Sequence, residues 1–337
     1  MSGKRHHFIP RFLQTGFADD KQHTWVYRKV SKSFKANIAN VGVETYFYSH
    51  QGDNEADDLI TEAERSFSST IKFLRESSQL PSAPEIAELI AHFEVRTRNL
   101  RESFLATGDN LITRMLEKLS DEEFFKQVLI KKIRKDPTFI KSIIEEEIPQ
   151  YGIPRIFLWP ITKLVQFLAP FLIKKNFSSV AYIIQHLQSI LPELLKRASK
   201  AGHLKALRES VSPKIRMNKY KDMNYEVIEI PEENLILGDS IVFFNTEDKG
   251  YRVFLDKGQA LSEVFLPISS NKFLIGFSKE ITTQGCALNK IIAQCSLEFF
   301  IAKNESPSND FLKAEIGKKA EMLSPDEIED ILFEAMK

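Results

Sequence analysis

Cysteine is nearly missing. Cys286 and Cys295 are the two thiols in 337 residues. Two cysteines form neither a disulfide framework nor a zinc-type ligand set, and both read as small buried residues. An excess charge of one sign is missing too, since 46 Lys and Arg stand against 46 Asp and Glu. A neutral chain has no global field to draw in nucleic acid or an anionic membrane. There is no Gly-rich phosphate loop, no Gly-x-Ser-x-Gly elbow, no internal repeat and no low-complexity run. The opening residues MSGKRHHFIP hold no apolar run of signal length. With the scarcity of cysteine, this predicts a reducing, cytoplasmic compartment. Residues 153–173 are apolar, but Lys163 and Gln166 sit near the middle, and Pro160 and Pro170 interrupt the run. A spanning helix takes about 20 mostly apolar residues, and a central Lys is costly there. A buried, kinked helix pair is expected instead, with no membrane span.

Hydrophobic residues make up 43% of the chain, with 26 Phe among them, enough for a large core. WVYRKV (25–30) and TYFYS (45–49) have strand composition. Ala56, Leu59, Ile60, Ala63, Phe67, Ile71 and Leu74 then recur at helical spacing. Ser82-Ala83-Pro84-Glu85 reads as a capped helix start, and Ser120-Asp121-Glu122-Glu123 as a second. Further helices are expected at 137–148, 154–175 and 178–200. After residue 220, NYEVIEI, LILGDSIVFFN, GYRVFL and EVFLPISSNKFLIGFS are strand-like. A helix at 283–296, the strand-like LEFFIAK and an acidic helix in SPDEIEDILFEAM close the chain. The order predicts an α+β fold. Its N- and C-terminal β segments form one sheet, and a large central helical block is inserted between them. The segments are 1–50, 51–210 and 211–337, combined into one composite domain.

Several polar groups interrupt core-like patterns. In KRHHFIPRFL, His6 and His7 are adjacent, and neighbouring side chains diverge by roughly 100° on a helix or face opposite sides of a strand. One is then free to act while the other hydrogen-bonds inward. Pro10 biases Ile9 toward extended geometry. A histidine here is a candidate general base or metal ligand, or else a group that satisfies local backbone. On the 55–74 helix, Glu55, Asp57, Asp58, Glu62 and Glu64 read either as Mg²⁺ ligands or as a solvated acidic first turn favoured by the helix dipole. Glu62 and Glu64 lie deeper than that turn. Arg96, Arg98 and Arg101 fall within two helical turns, where the apolar stripe thins, and an Arg there is a candidate clamp for carboxylate or phosphate. Residues 196–221 hold nine Lys and Arg against one Glu, either a stripe for a phosphate backbone or a solvated helix end. Asp239 interrupts an apolar strand pattern, which marks a site or a β-bulge.

The opening KRHHFIPRFLQTGFA, the segment WVYRK, the Arg-rich VRTRNLRESF, LILGDSIVFF and ALNKIIAQCSLEFFIA together resemble the bacterial family DUF4238, a domain of unknown function. The likeness runs in patches over nearly the whole chain. At Gly238-Asp239-Ser240-Ile241 the family's Ser-Asp-Asn-Pro is altered, with the Asp retained. The resemblance implies a bacterial, cytoplasmic protein, and it groups His6, His7, Pro10, Arg11, Arg96 and Asp239. His-His-apolar-apolar-Pro is also similar to the first strand of His-Asn-His nucleases. There the second His activates a water beside one divalent metal, and a β-hairpin runs into a helix that carries the last ligand. Asn40 and His50 follow in that order, at longer spacing than the pattern has.

Two functions follow. One is a metal-assisted phosphodiesterase or nuclease in defence against mobile DNA. His6, His7, Arg11, Arg96 and Asp239 would be its catalytic set. His7, Glu62 and Asp239 would hold Mg²⁺ or Mn²⁺, and nucleic acid would lie along 196–221. The other is a non-catalytic binding or sensing module that docks a partner through the helical block.

Overall fold

A computed structural model describes residues 4–49, 54–77, 79–136, 138, 141–142, 146, 158–232, 234–255, 258–283, 288–323 and 325–336. The expected helix at 137–148, His50 and Cys286 fall wholly or largely outside them. The fold is α+β, with strands toward both ends and a helical block between. Two compact units are formed: Met1–Leu105 with Ala198–Met322, and Ala106–Arg197 with Leu323–Lys337.

The first unit holds the described strands in three antiparallel sheets. β1 (Arg5–His7) pairs with β4 (Val43–Thr45), placing His6 opposite Glu44 and His7 opposite Val43. β2 (His23–Arg28), β3 (Phe34–Asn37), β6 (Leu237–Gly238) and β11 (Phe299–Ala302) form a sheet in the order β3-β2-β11-β6. Here the N- and C-terminal β segments do join, as the chain order predicts. The other sheet is wholly C-terminal. It runs β5 (Asn224–Glu229), β10 (Lys272–Phe277), β9 (Leu261–Ser269), β7 (Phe243–Thr246) and β8 (Gly250–Arg252). The β segments are thus divided among three sheets rather than gathered in one.

α1 (Arg11–Gln14) follows Pro10, whose fixed φ of −58° opens the turn. α2 (Glu55–Glu76) buries Ala56, Ile60, Phe67, Ile71 and Leu74, the stripe its spacing predicts. At its last turn, Arg75 donates to the carbonyls of Ile268, Phe12 and Leu13, so one cation ties β9, α1 and α2 together. Burial among carbonyls pulls that guanidinium down to about 10, still charged at neutral pH. α3 (Ala83–Arg96) begins at the Ser82–Glu85 capping box, and Pro84 sits in its first turn. α4 (Arg98–Leu119) continues from Thr97 into the second unit.

In the second unit, α5 (Glu122–Lys135) is capped by Asp121, one residue later than the sequence pattern places the cap. α6 (Leu158–Glu209) is one helix of 52 residues, where two helices are expected. Ile184, Leu204 and Leu207 are buried, but Trp159, Phe167 and Tyr182 are each more than two-thirds exposed. No described helix is long and apolar enough to cross a membrane. The chain re-enters the first unit at Ala198, within α6, and α7 (Lys214–Tyr220) follows there. α8 (Leu288–Cys295) and α9 (Pro307–Leu312) flank β11, and α10 (Pro325–Met336) closes the second unit.

Candidate functional site: a charged pocket at the β1–β4 strand pair

β4 precedes α2 in the chain, and a pocket of about 430 Å³ forms beside the β1–β4 pair in the first unit. β1 and α1 supply Arg5, His6, His7, Arg11 and Phe12. α2 supplies Asp57, Asp58, Ile60, Thr61 and Glu64, while Tyr48 and Arg96 complete the lining.

The twin histidines divide as adjacent strand residues must. His6 is buried, and the Tyr48 amide donates to its Nδ1 at 2.9 Å. Nδ1 is therefore an acceptor, and in the neutral ring the proton sits on Nε2. That nitrogen lies 3.7 Å from the Asp57 carboxylate, and the ring stacks on Tyr48 at 11°. A protonated Nε2 has no lone pair for a metal, so His6 orients Asp57 rather than ligating. His7 is half-buried, and its Nε2 is shielded from solvent without a hydrogen-bond partner. A buried nitrogen left unpaired costs about 1–3 kcal/mol, and the same holds for His203 Nδ1 and Asn99 Nδ2 outside the pocket. Burial first, and the nearby Arg11 guanidinium second, lower the His7 pKa, against hydrogen bonds to the Ala39 and Ile38 backbone that raise it.

Arg96 is 1% exposed and forms the floor. It donates to Glu64, to the His7 carbonyl and to His92 Nε2. Burial alone would lower its pKa, but the Glu64 carboxylate more than offsets this and raises it. The Tyr48 hydroxyl donates to the Arg96 carbonyl at 2.7 Å, and burial pushes that phenol up to about 12. Arg96 is thus neutralised in place and positions the His7 backbone. The rim cations differ. Arg5 donates to Asn40 Oδ1 at 3.0 Å and is exposed. Arg11 is exposed, and no carboxylate among the described residues pairs with it. On the facing wall, burial raises the Asp57 pKa while His6 pulls the other way.

Of the residues singled out in the sequence, the pocket gathers His6, His7, Arg11 and Arg96. Glu62 is exposed on α2 and does not line it. Residues 62 and 64 are two apart, which turns Glu62 well away from the Glu64 face. Asp239 does not line it either. Its 4%-exposed carboxylate accepts from the amides of Leu297, Glu298 and Phe299 at 2.7, 2.8 and 3.2 Å. It caps the entry to β11, and burial pushes its pKa up to about 6 against those three donors. The apolar pattern around Asp239 is broken by this turn, where Ile241 has φ +62°. Sequence reasoning passed over Arg5 and Tyr48, and it left Asp57 and Asp58 open as a solvated first turn. Their signal was the long-range β1–β4 pairing, which a strand of three residues does not announce.

The 196–221 stripe commits cations inward. Lys200 donates to the Tyr46 carbonyl, Arg208 faces Glu55, and Arg216 meets Glu94 and the Leu255 carbonyl. Among the described residues, no group of three or more His, Cys, Asp or Glu is placed to hold a metal ion.

Comparison with curated proteins and with solved structures returned no match. The model of the family described as protein of unknown function, DUF4238, matches residues 5–327, and the chain belongs to that family.

Proposed function

We propose that this pocket is the active site of a metal-assisted phosphodiesterase acting on nucleic acid, with His7 as the general base. The observation that carries the reading is one lining that brings together His7, whose Nε2 is unpartnered, the arginines Arg5 and Arg11, and the α2 carboxylates. Arg11 and Arg5 meet the phosphate, for which planar guanidinium donors are suited. His7 takes the proton of a water whose oxygen bonds to phosphorus, and the bond to the leaving oxygen breaks. Asp57 and Asp58, in place of Glu62 and Asp239, are the groups to hold Mg²⁺ or Mn²⁺. Mg²⁺ typically takes one or two carboxylates plus substrate phosphates and water, so two side chains suffice. The cation, when bound, supplies charge neutralisation at the leaving oxygen.

The test is incubation of the purified chain with single-stranded DNA, RNA and plasmid, with Mg²⁺ or Mn²⁺, beside His7→Ala. Cleavage that His7→Ala abolishes is expected. Absence of cleavage on all three substrates overturns the proposal and favours a binding module.

A further inference from the structure

The shape and charge of the same pocket bear on which nucleic acid enters it; this step rests on reading the pocket as the ligand site. Arg5 and Arg11 line the recess itself. A phosphate held by both guanidiniums therefore sits at the recess. A cavity of about 430 Å³ is in the range of small-ligand sites, which run from about 300 to 1,000 Å³. Its cations are on one wall. Arg5 and Arg11 belong to β1 and α1, and the opposite wall is Asp57, Asp58 and Glu64 of α2. Duplex DNA carries one negative charge per about 1.7 Å of axis, so a duplex laid across the mouth would set several phosphates against that acidic wall. One phosphate fits the arginine side, while sugar hydroxyls and base amines can donate to the carboxylates. Phe12 and Ile60 give the remaining nucleoside an apolar contact. A nucleotide within a duplex reaches such a recess only by being flipped out, which costs a few kcal/mol.

We propose that the pocket takes a single unpaired nucleotide, with its phosphate on Arg5 and Arg11, and excludes intact duplex. Mononucleotides and unpaired strand segments are its ligands.

The experiment is calorimetric titration of the full chain with AMP, adenosine and inorganic phosphate, followed by competition with covalently closed plasmid. AMP is expected to bind one to one and at least 10-fold tighter than adenosine. Arg11→Ala should weaken AMP at least 10-fold, and the plasmid should not displace it. Arg11 is exposed, so the variant keeps the fold; Arg5→Ala is the second variant and should act in the same direction. AMP that fails to bind, or that plasmid displaces stoichiometrically, overturns the inference. AMP bound through Arg11 by a chain that cleaves nothing leaves the inference standing and removes the hydrolytic reading. Cleavage of closed plasmid at the rate of single strands does the reverse.

Discussion

His92 supports the pocket from beneath, and its protonation state can be read from its neighbours. Its Nδ1 lies 3.0 Å from the Val211 carbonyl and its Nε2 3.3 Å from Arg96 Nη1. A guanidinium only donates, so Nε2 accepts and Nδ1 carries the proton. A second proton on Nε2 would face a cation in a buried place. Burial first, and Arg96 second, lower the His92 pKa to about 3, against 6.5 for an ordinary histidine. With the folded pKa depressed, the stability is present in full above 6.5. It is lost as pH falls toward 3, because the unfolded chain binds a proton the folded chain refuses. The slope is about 1.4 kcal/mol per pH unit, or about 2 kcal/mol between pH 7 and pH 5. His92→Gln removes this proton. The variant loses the ring contact with Phe67, at 4.6 Å, and is less stable at pH 7. The gap to wild type should narrow by about 2 kcal/mol on going to pH 5. Urea unfolding at both pH values measures it, with Trp25 fluorescence in a Trp159→Phe background reporting on the first unit. With a urea slope of about 3 kcal/mol/M, the midpoint gap closes by roughly 0.7 M. A gap that stays constant, or widens, refutes the locked neutral tautomer.

Other perturbations separate scaffold from site. Arg96→Met strands the Glu64 carboxylate and the His7 carbonyl and should cost about 3–5 kcal/mol in urea unfolding. Asp239→Ala leaves three amides without an acceptor and should cost about 2–4 kcal/mol, while cleavage per folded molecule stays unchanged. Arg11→Ala should shift stability by less than about 0.5 kcal/mol, since the side chain is exposed, yet lower cleavage of single strands at least 10-fold.

Much of the scaffold was legible in the sequence, because its signals are local. The Ser82–Glu85 capping box and the α2 stripe from Ala56 to Leu74 are each encoded within a turn or two, and both formed as read. The Asp121 cap was off by one residue, an uncertainty usual at helix ends. The site was legible only in part, because it is assembled from distant pairings. His6 and His7 were marked by their own pattern. Asp57 joined them through the β1–β4 register, which no short-range period encodes. Asp239 shows the converse. A carboxylate breaking an apolar run signals either a ligand site or a cap, and only the placement of the 297–299 amides distinguishes them. The aromatic residues of α6 matched a buried helix by composition, yet many are exposed, since hydrophobic content says nothing about what packs against it.

The most direct measurement is the specificity constant for a single-stranded oligonucleotide with Mn²⁺, taken for wild type, His7→Ala and Asp239→Asn side by side. A general base contributes about 10²–10⁴-fold, so His7→Ala should fall by at least about 100-fold per folded molecule. Asp239→Asn should retain the wild-type value per folded molecule. Equal rates for His7→Ala and wild type, or a loss in Asp239→Asn as large as in His7→Ala, would contradict a reactive centre at the β1–β4 pocket.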